Sequence, residues 1–296
     1  MARMISGAAV QRARRFVETT ARPLDRAYLD YVLPTSAGSA DLVIAELARF
    51  QTPEGGFGRA LEPDVRTPAP SAIATSIAFQ YMRGIGLAGQ GYLAPAAIKY
   101  LLATLDRRAW VWPAIDERVD EGRHAPWWAP NLARFRGYVL NPTAELLGYL
   151  YDHRADVPDE VLERVSQGVL SAVEAAGVIE SPYELCCCMR LVQTNGLPAE
   201  VRGRLQALLL PSLMAADPDD EHLDLLRLIP TPGSFGYEVV RGGLERQAER
   251  LIASQGDDGG WRPSWEPWDA EAHVEWSGVI TSQALISLSA HGYVAA

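Results

Sequence analysis

Phe50-Gln51-Thr52-Pro53-Glu54-Gly55-Gly56-Phe57 returns near the other end of the chain as Ser254-Gln255-Gly256-Asp257-Asp258-Gly259-Gly260-Trp261. Five residues after each copy comes Glu-Pro: Glu62-Pro63 and Glu266-Pro267. In both copies a helix ends near the Gln. The two glycines open backbone conformations closed to other residues, the aromatic buries, and a second helix begins downstream. Each segment therefore reads as the corner of a helical hairpin, and hairpins that cannot bury their apolar faces alone stack side by side.

Outward from these two corners, apolar residues recur at helical spacing, and alternating strand-like runs bounded by hairpin turns are missing. The periodicity predicts helices at about 6–18, 24–33, 38–50, 70–84, 93–105, 141–153, 157–175, 181–193, 198–214, 219–229, 243–254 and 274–291. Twelve helices make six pairs, and six stacked hairpins can close into a ring. The expectation is all-α, with one domain over residues 1–296 and the even-numbered helices on the inside.

Three connections inside pairs are long, at about 51–69, 106–140 and 255–273, and long ordered loops on a helical scaffold carry function. In such a ring these loops share one rim. That rim would gather Glu62, Asp64, Arg66, Trp110, Trp112, Asp116, Glu117, His124, Trp127, Trp128, Trp261, Trp265, Glu266, Trp268, Asp269 and His273. Indole faces stabilise cations and also stack on sugars, while aromatics at repeat junctions also pack loops onto helix ends. Polar partners have to decide between these roles.

The Gln…Gly-Gly-aromatic units resemble the QW repeats of squalene-hopene and other terpenoid cyclases and of protein prenyltransferase β-subunits. The segment Tyr100-Leu101-Leu102-Ala103-Thr104-Leu105, followed by Trp110 and Trp112, is similar without its Gln and glycines. The resemblance implies an (α/α)6 toroid whose inner helices surround an apolar, Trp-lined pocket for an isoprenoid or similar small hydrophobic substrate, with cyclisation started by protonation. Asp217-Pro218-Asp219-Asp220 matches the DxDD pattern of class II cyclases, which would make Asp219 the proton donor. The same residues also make an ordinary helix start, with Asp217 as N-cap and Pro218 in the first turn.

The repeat places a second set of acids, Glu62 and Asp64 beside Arg59 and Arg66, on the same rim as Glu266 and Asp269. An acid against Trp can hold a raised pKa and serve as general acid, whereas one paired with Arg stays ionised. The candidate catalytic residues are thus Glu62, Asp64, Asp219 and Asp269. The candidate substrate contacts are Arg66, Trp112, His124, Trp128, Trp265 and Trp268. Two carboxylates across a Trp-lined cleft would equally suit glycoside hydrolysis on the same architecture, and a toroid that lost its acid would be a hydrophobic-ligand binder. Glu184 and Cys186 have a carboxylate-x-Cys spacing, but a run of Cys186, Cys187 and Cys188 on a helix reads as small core packing, so neither metal nor cofactor is expected.

Composition narrows the partners. A net charge of -10 argues against nucleic acid or anionic lipid. The charge-free stretch Gly278 to Ala296 is too polar for a bilayer span, so no stable membrane insertion is expected. Residues Met1 to Thr20 lack a secretory apolar core, and three adjacent cysteines draw no disulfide framework. A cytoplasmic protein is the expectation.

Overall fold

Ser6, Ser71, Ser181 and Asp269 each stand where a helical pattern begins, and each side chain accepts the orphan backbone N–H three residues on. In the computed structural model, which describes residues 4–33, 37–86, 91–130, 132 and 137–294, these caps open four of the twelve α-helices. The helices are α1 (Gly7–Thr20), α2 (Pro23–Val32), α3 (Ala40–Ala48), α4 (Ala72–Gly84), α5 (Leu93–Thr104) and α6 (Leu140–Asp152). They continue as α7 (Asp159–Ala176), α8 (Pro182–Val192), α9 (Ala199–Ala215), α10 (Leu225–Leu228), α11 (Tyr237–Ala253) and α12 (Ala270–Ala290). The chain is all-α, and its small sheet, β1 (Val65–Arg66) with β2 (Arg123–His124), joins two loops.

The expected helix at 219–229 is corrected to the single turn of α10. Asp217 Oδ1 accepts from the Asp219 N–H at 2.9 Å and Asp220 Oδ1 from that of His222 at 2.8 Å, so short carboxylates take the backbone donors a helix would need. Gln247 fixes the turn from the side, donating to the carbonyls of Pro218 and Leu223 and accepting from the Leu225 N–H. α11 and α12 also start earlier than the pattern suggests, at Tyr237 and Ala270.

Contacts group the chain into two compact units, one of residues 1–47 and 217–296, the other of residues 48–216. In the second unit α4 packs on α6 and α6 on α8, while α7 packs on α9, so alternate helices share a layer. α6 is buried over nearly its whole length, Pro142 through Tyr151. In the first unit α12 packs against α1, α2 and α10.

Each unit contains one of the repeated corners, and the two match atom for atom. Gln51 Nε2 donates to the carbonyls of Gly55 and Leu93, at 2.8 and 3.0 Å; Gln255 Nε2 donates to those of Gly259 and Ala9, at 2.9 and 3.0 Å. Gly55 and Gly259 both have φ +94°. A Cβ there would lie 2.4 Å from the Ala96 carbonyl oxygen and 2.5 Å from the Arg12 carbonyl carbon, so close backbone approach and left-handed geometry both require glycine. α5 thus receives the first corner as α1 receives the second.

The aromatic that ends each corner has a fixed partner as well. The Phe57 N–H donates to Thr75 Oγ1 at 3.0 Å and the Trp261 N–H to Thr281 Oγ1 at 2.9 Å. Trp112 repeats the device without Gln or glycines: its N–H donates to Thr143 Oγ1 at 3.2 Å. Its indole N–H reaches the Leu101 carbonyl at 2.8 Å, as that of Trp261 reaches Leu251 at 2.7 Å.

Candidate functional site

The loop from Gly58 to Thr67 folds back on itself through short-range backbone bonds, Arg59 N–H to the Thr67 carbonyl and Val65 N–H to that of Glu62. Its entry is strained. Arg59 and Ala60, neither of them glycine, take φ of +56° and +63°. The chain then enters a buried stretch in which Leu61 and Val65 accompany two acids, Glu62 at 6% and Asp64 at 3% exposure.

β1 carries this loop to the next one by pairing Val65 with His124 and Arg66 with Arg123. The Ala125 N–H also donates to the Asp64 carbonyl, and the Trp127 indole N–H donates to Asp64 Oδ2 at 3.3 Å. Behind the acids Val65, Ile115 and Val119 form an apolar cluster, onto which Ile73 and Trp128 pack. His124 has Nδ1 2.9 Å from the Ala125 carbonyl and Nε2 3.0 Å from Asp120 Oδ1. The Arg66 guanidinium donates to the Pro63 carbonyl at 3.2 Å. The structure therefore brings together Glu62, Asp64, Arg66, His124 and Trp128 of the candidate set with Trp127 of the expected rim.

The remaining candidates make other contacts, Trp112 within the same unit and Asp219, Asp269, Trp265 and Trp268 within the other. Trp112 is wholly buried, its N–H groups taken up in the corner described above. With Tyr100, Thr104, Ile115 and Asp116 it lines a cavity of about 40 Å³, room for a few water molecules. Asp219 lies in the surface turn, 71% exposed, its carboxylate 2.6 Å from Arg250. Asp269 is the N-cap of α12, accepting from the Ala272 N–H at 2.6 Å. Trp265 stands edge-on to Trp276 at 5.3 Å, and Trp268 is half-buried; both belong to the unit of Asp269. Among the described residues no group of three or more His, Cys, Asp or Glu could hold a metal ion, and no helix is long and apolar enough to cross a membrane.

One polar cluster had no forewarning in the sequence. Between α6 and α8, buried Glu145 accepts from the Tyr149 hydroxyl at 2.5 Å and from Arg190 Nη1 at 2.8 Å, with Cys187 Sγ at 3.5 Å. Burial, then the Glu145 charge, pushes the Tyr149 hydroxyl and the Cys187 thiol well above their ordinary pKa values. Neither is a ready nucleophile or base. Arg83 crosses the Tyr149 ring at 4.3 Å and binds Asp152. Glu145 is a buried acid in a mostly apolar helix, and only the packing of α6 on α8 reveals its partners.

No family model matches the sequence, and no curated protein matches it. A solved structure described as a protein from Actinoplanes is similar over 96% of this chain and 98% of its own, with a TM-score of 0.61 at 17% identity. That likeness shows a shared fold.

Proposed function

We propose that the chain is a terpenoid-cyclase-like (α/α)6 toroid whose functional centre is the acid-and-indole cluster of Glu62, Asp64, Trp127 and Trp128. The toroid reading is supported by helices that alternate between layers within a unit and by two identical corners that clasp α5 and α1. One observation carries the functional reading: two carboxylates are buried in a short loop that enters through consecutive left-handed residues. Asp and Glu are seldom buried without a purpose, and strain of this kind gathers at functional sites.

On this reading the half-buried face of Trp127, Trp128 and Ile73 receives an apolar, isoprenoid-like ligand, with Arg66 and His124 at its edge. The protonated carboxyl of Asp64 or Glu62 gives its proton to an alkene carbon. The adjacent carbon becomes cationic, indole faces stabilise it, and the cyclised cation returns a proton to the carboxylate, which releases a neutral product and restores the acid. Asp219, exposed and ion-paired, has no part in this centre.

The test is incubation with a panel of linear polyprenyl alcohols and diphosphates, alongside oligosaccharides, read by mass spectrometry. The expected result is a cyclised product from a polyprenyl compound, lost about 100-fold or more in Glu62→Gln or Asp64→Asn. Cleavage of an oligosaccharide, or turnover indifferent to both variants, overturns it. A second reading is a ligand binder without turnover, since the half-buried indoles could hold an apolar molecule whether or not an acid reacts with it. Saturable polyprenyl binding with no product would select that reading.

A further inference from the structure

Two arginines lie in the polar network between α4, α6 and α8, and they use their donors differently. Every nitrogen of Arg83 is engaged: Nε and Nη2 bind Asp152 Oδ2 at 2.9 and 2.7 Å, Nη1 the Arg190 carbonyl at 3.2 Å, and Nη2 also Thr194 Oγ1 at 3.1 Å. It ties three helices together. Arg190 binds through Nη1 alone, to Glu145 Oε2 at 2.8 Å, while its side chain keeps 22% of its surface exposed and Glu145 only 2%. Among the described residues the Nε–Nη2 edge of Arg190 meets no protein acceptor.

That edge is the side-on fork of the guanidinium, two parallel N–H donors spaced to match two oxygens of one carboxylate or phosphate. Glu145 holds the fork in place from behind. Its negative charge is shared among three donors, Tyr149, Arg190 and Cys187, which leaves the far edge of the guanidinium electropositive. Asn141 completes the surroundings. It interrupts the start of α6 with non-helical backbone, and its Oδ1, also 3.5 Å from Cys187 Sγ, is the alternative acceptor for the one thiol proton.

We infer that Arg190, held by Glu145, is an oxyanion-binding site for the carboxylate or phosphate group of a small ligand. The site is separate from the rim acids and does not rest on their role.

Titration calorimetry of the whole chain with inorganic diphosphate, inorganic phosphate and succinate tests it. Saturable binding of at least one is expected, with diphosphate or phosphate ahead if the natural ligand is a phosphate ester and succinate ahead if it is an organic acid. Arg190→Gln strands the Glu145 charge and risks the fold, so the decisive variant is Arg190→Lys. A lysine at this position would keep the pairing with Glu145 but lose the fork, and binding should weaken at least tenfold with circular dichroism unchanged. No binding by the parent chain at millimolar oxyanion, or equal binding by Arg190→Lys, overturns the inference.

Discussion

At the scale of the residue, Trp112 and Trp261 occupy equivalent places, each buried with both N–H groups bonded to protein oxygens. Truncating either to Ala leaves a large void, so Trp112→Ala and Trp261→Ala should each cost about 3–5 kcal/mol in denaturant unfolding. Thr281→Val is a smaller perturbation of the same corner. It strands the buried Trp261 N–H and should cost about 1–3 kcal/mol. Gly260 resists substitution for a reason other than backbone angle: a Cβ there would lie 2.7 Å from the Phe16 ring. Asp219→Asn removes a surface ion pair and should move stability by less than about 1 kcal/mol, measured in the same way. A loss comparable to that of Trp261→Ala would mean that the acidic turn is a structural keystone.

The helices themselves were largely legible as elements, because apolar spacing and Ser or Asp caps are local signals that no distant residue needs to confirm. Asp217–Leu223 was not. A helix start and a run of carboxylate turns use the same residues, and Gln247, from α11, stabilises the turn. The β1–β2 pairing was equally hidden, since two-residue strands show no alternation to read. Of the site, the sequence offered Glu62 and Asp64 through the repeat, but the repeat equally favoured Asp269, which is a helix cap. The Glu145–Arg190 cluster needs the pairing of α6 with α8, which periodicity does not specify. That packing has a chemical consequence for α8. Cys187 and Cys188 are buried, and burial raises both thiols, whereas Cys186 is half-buried. A thiol-reactive chromophore should therefore label Cys186 first in the native chain and all three cysteines only in denaturant; rapid native labelling of all three would contradict this packing.

For the molecule as a whole, two half-buried histidines set a pH dependence. Burial lowers the pKa of His153 in one unit and of His291 in the other, below the ordinary 6.5 that both regain on unfolding. The unfolded chain then binds more protons below about pH 6.5, so stability falls as pH drops through that value and is unaffected by these groups well above it. The melting temperature should decline between about pH 7.5 and 5.5, and His153→Gln with His291→Gln should flatten the decline. A melting temperature that rises toward pH 5.5 would contradict the burial of both rings.

On the proposed function, Glu62 and Asp64 are buried for chemistry and not for the fold. Residues kept for function at the expense of packing can be neutralised without loss of stability, and often with gain. The direct measurement is the melting temperature of the double variant Glu62→Gln/Asp64→Asn at pH 7.5, which preserves shape and the acceptor for the Trp127 indole while removing both ionisable carboxyls. The expected midpoint equals or exceeds that of the parent chain. A midpoint lower by several degrees would show the acids to be a clasp that holds the rim loops together, and the functional reading would fail with it.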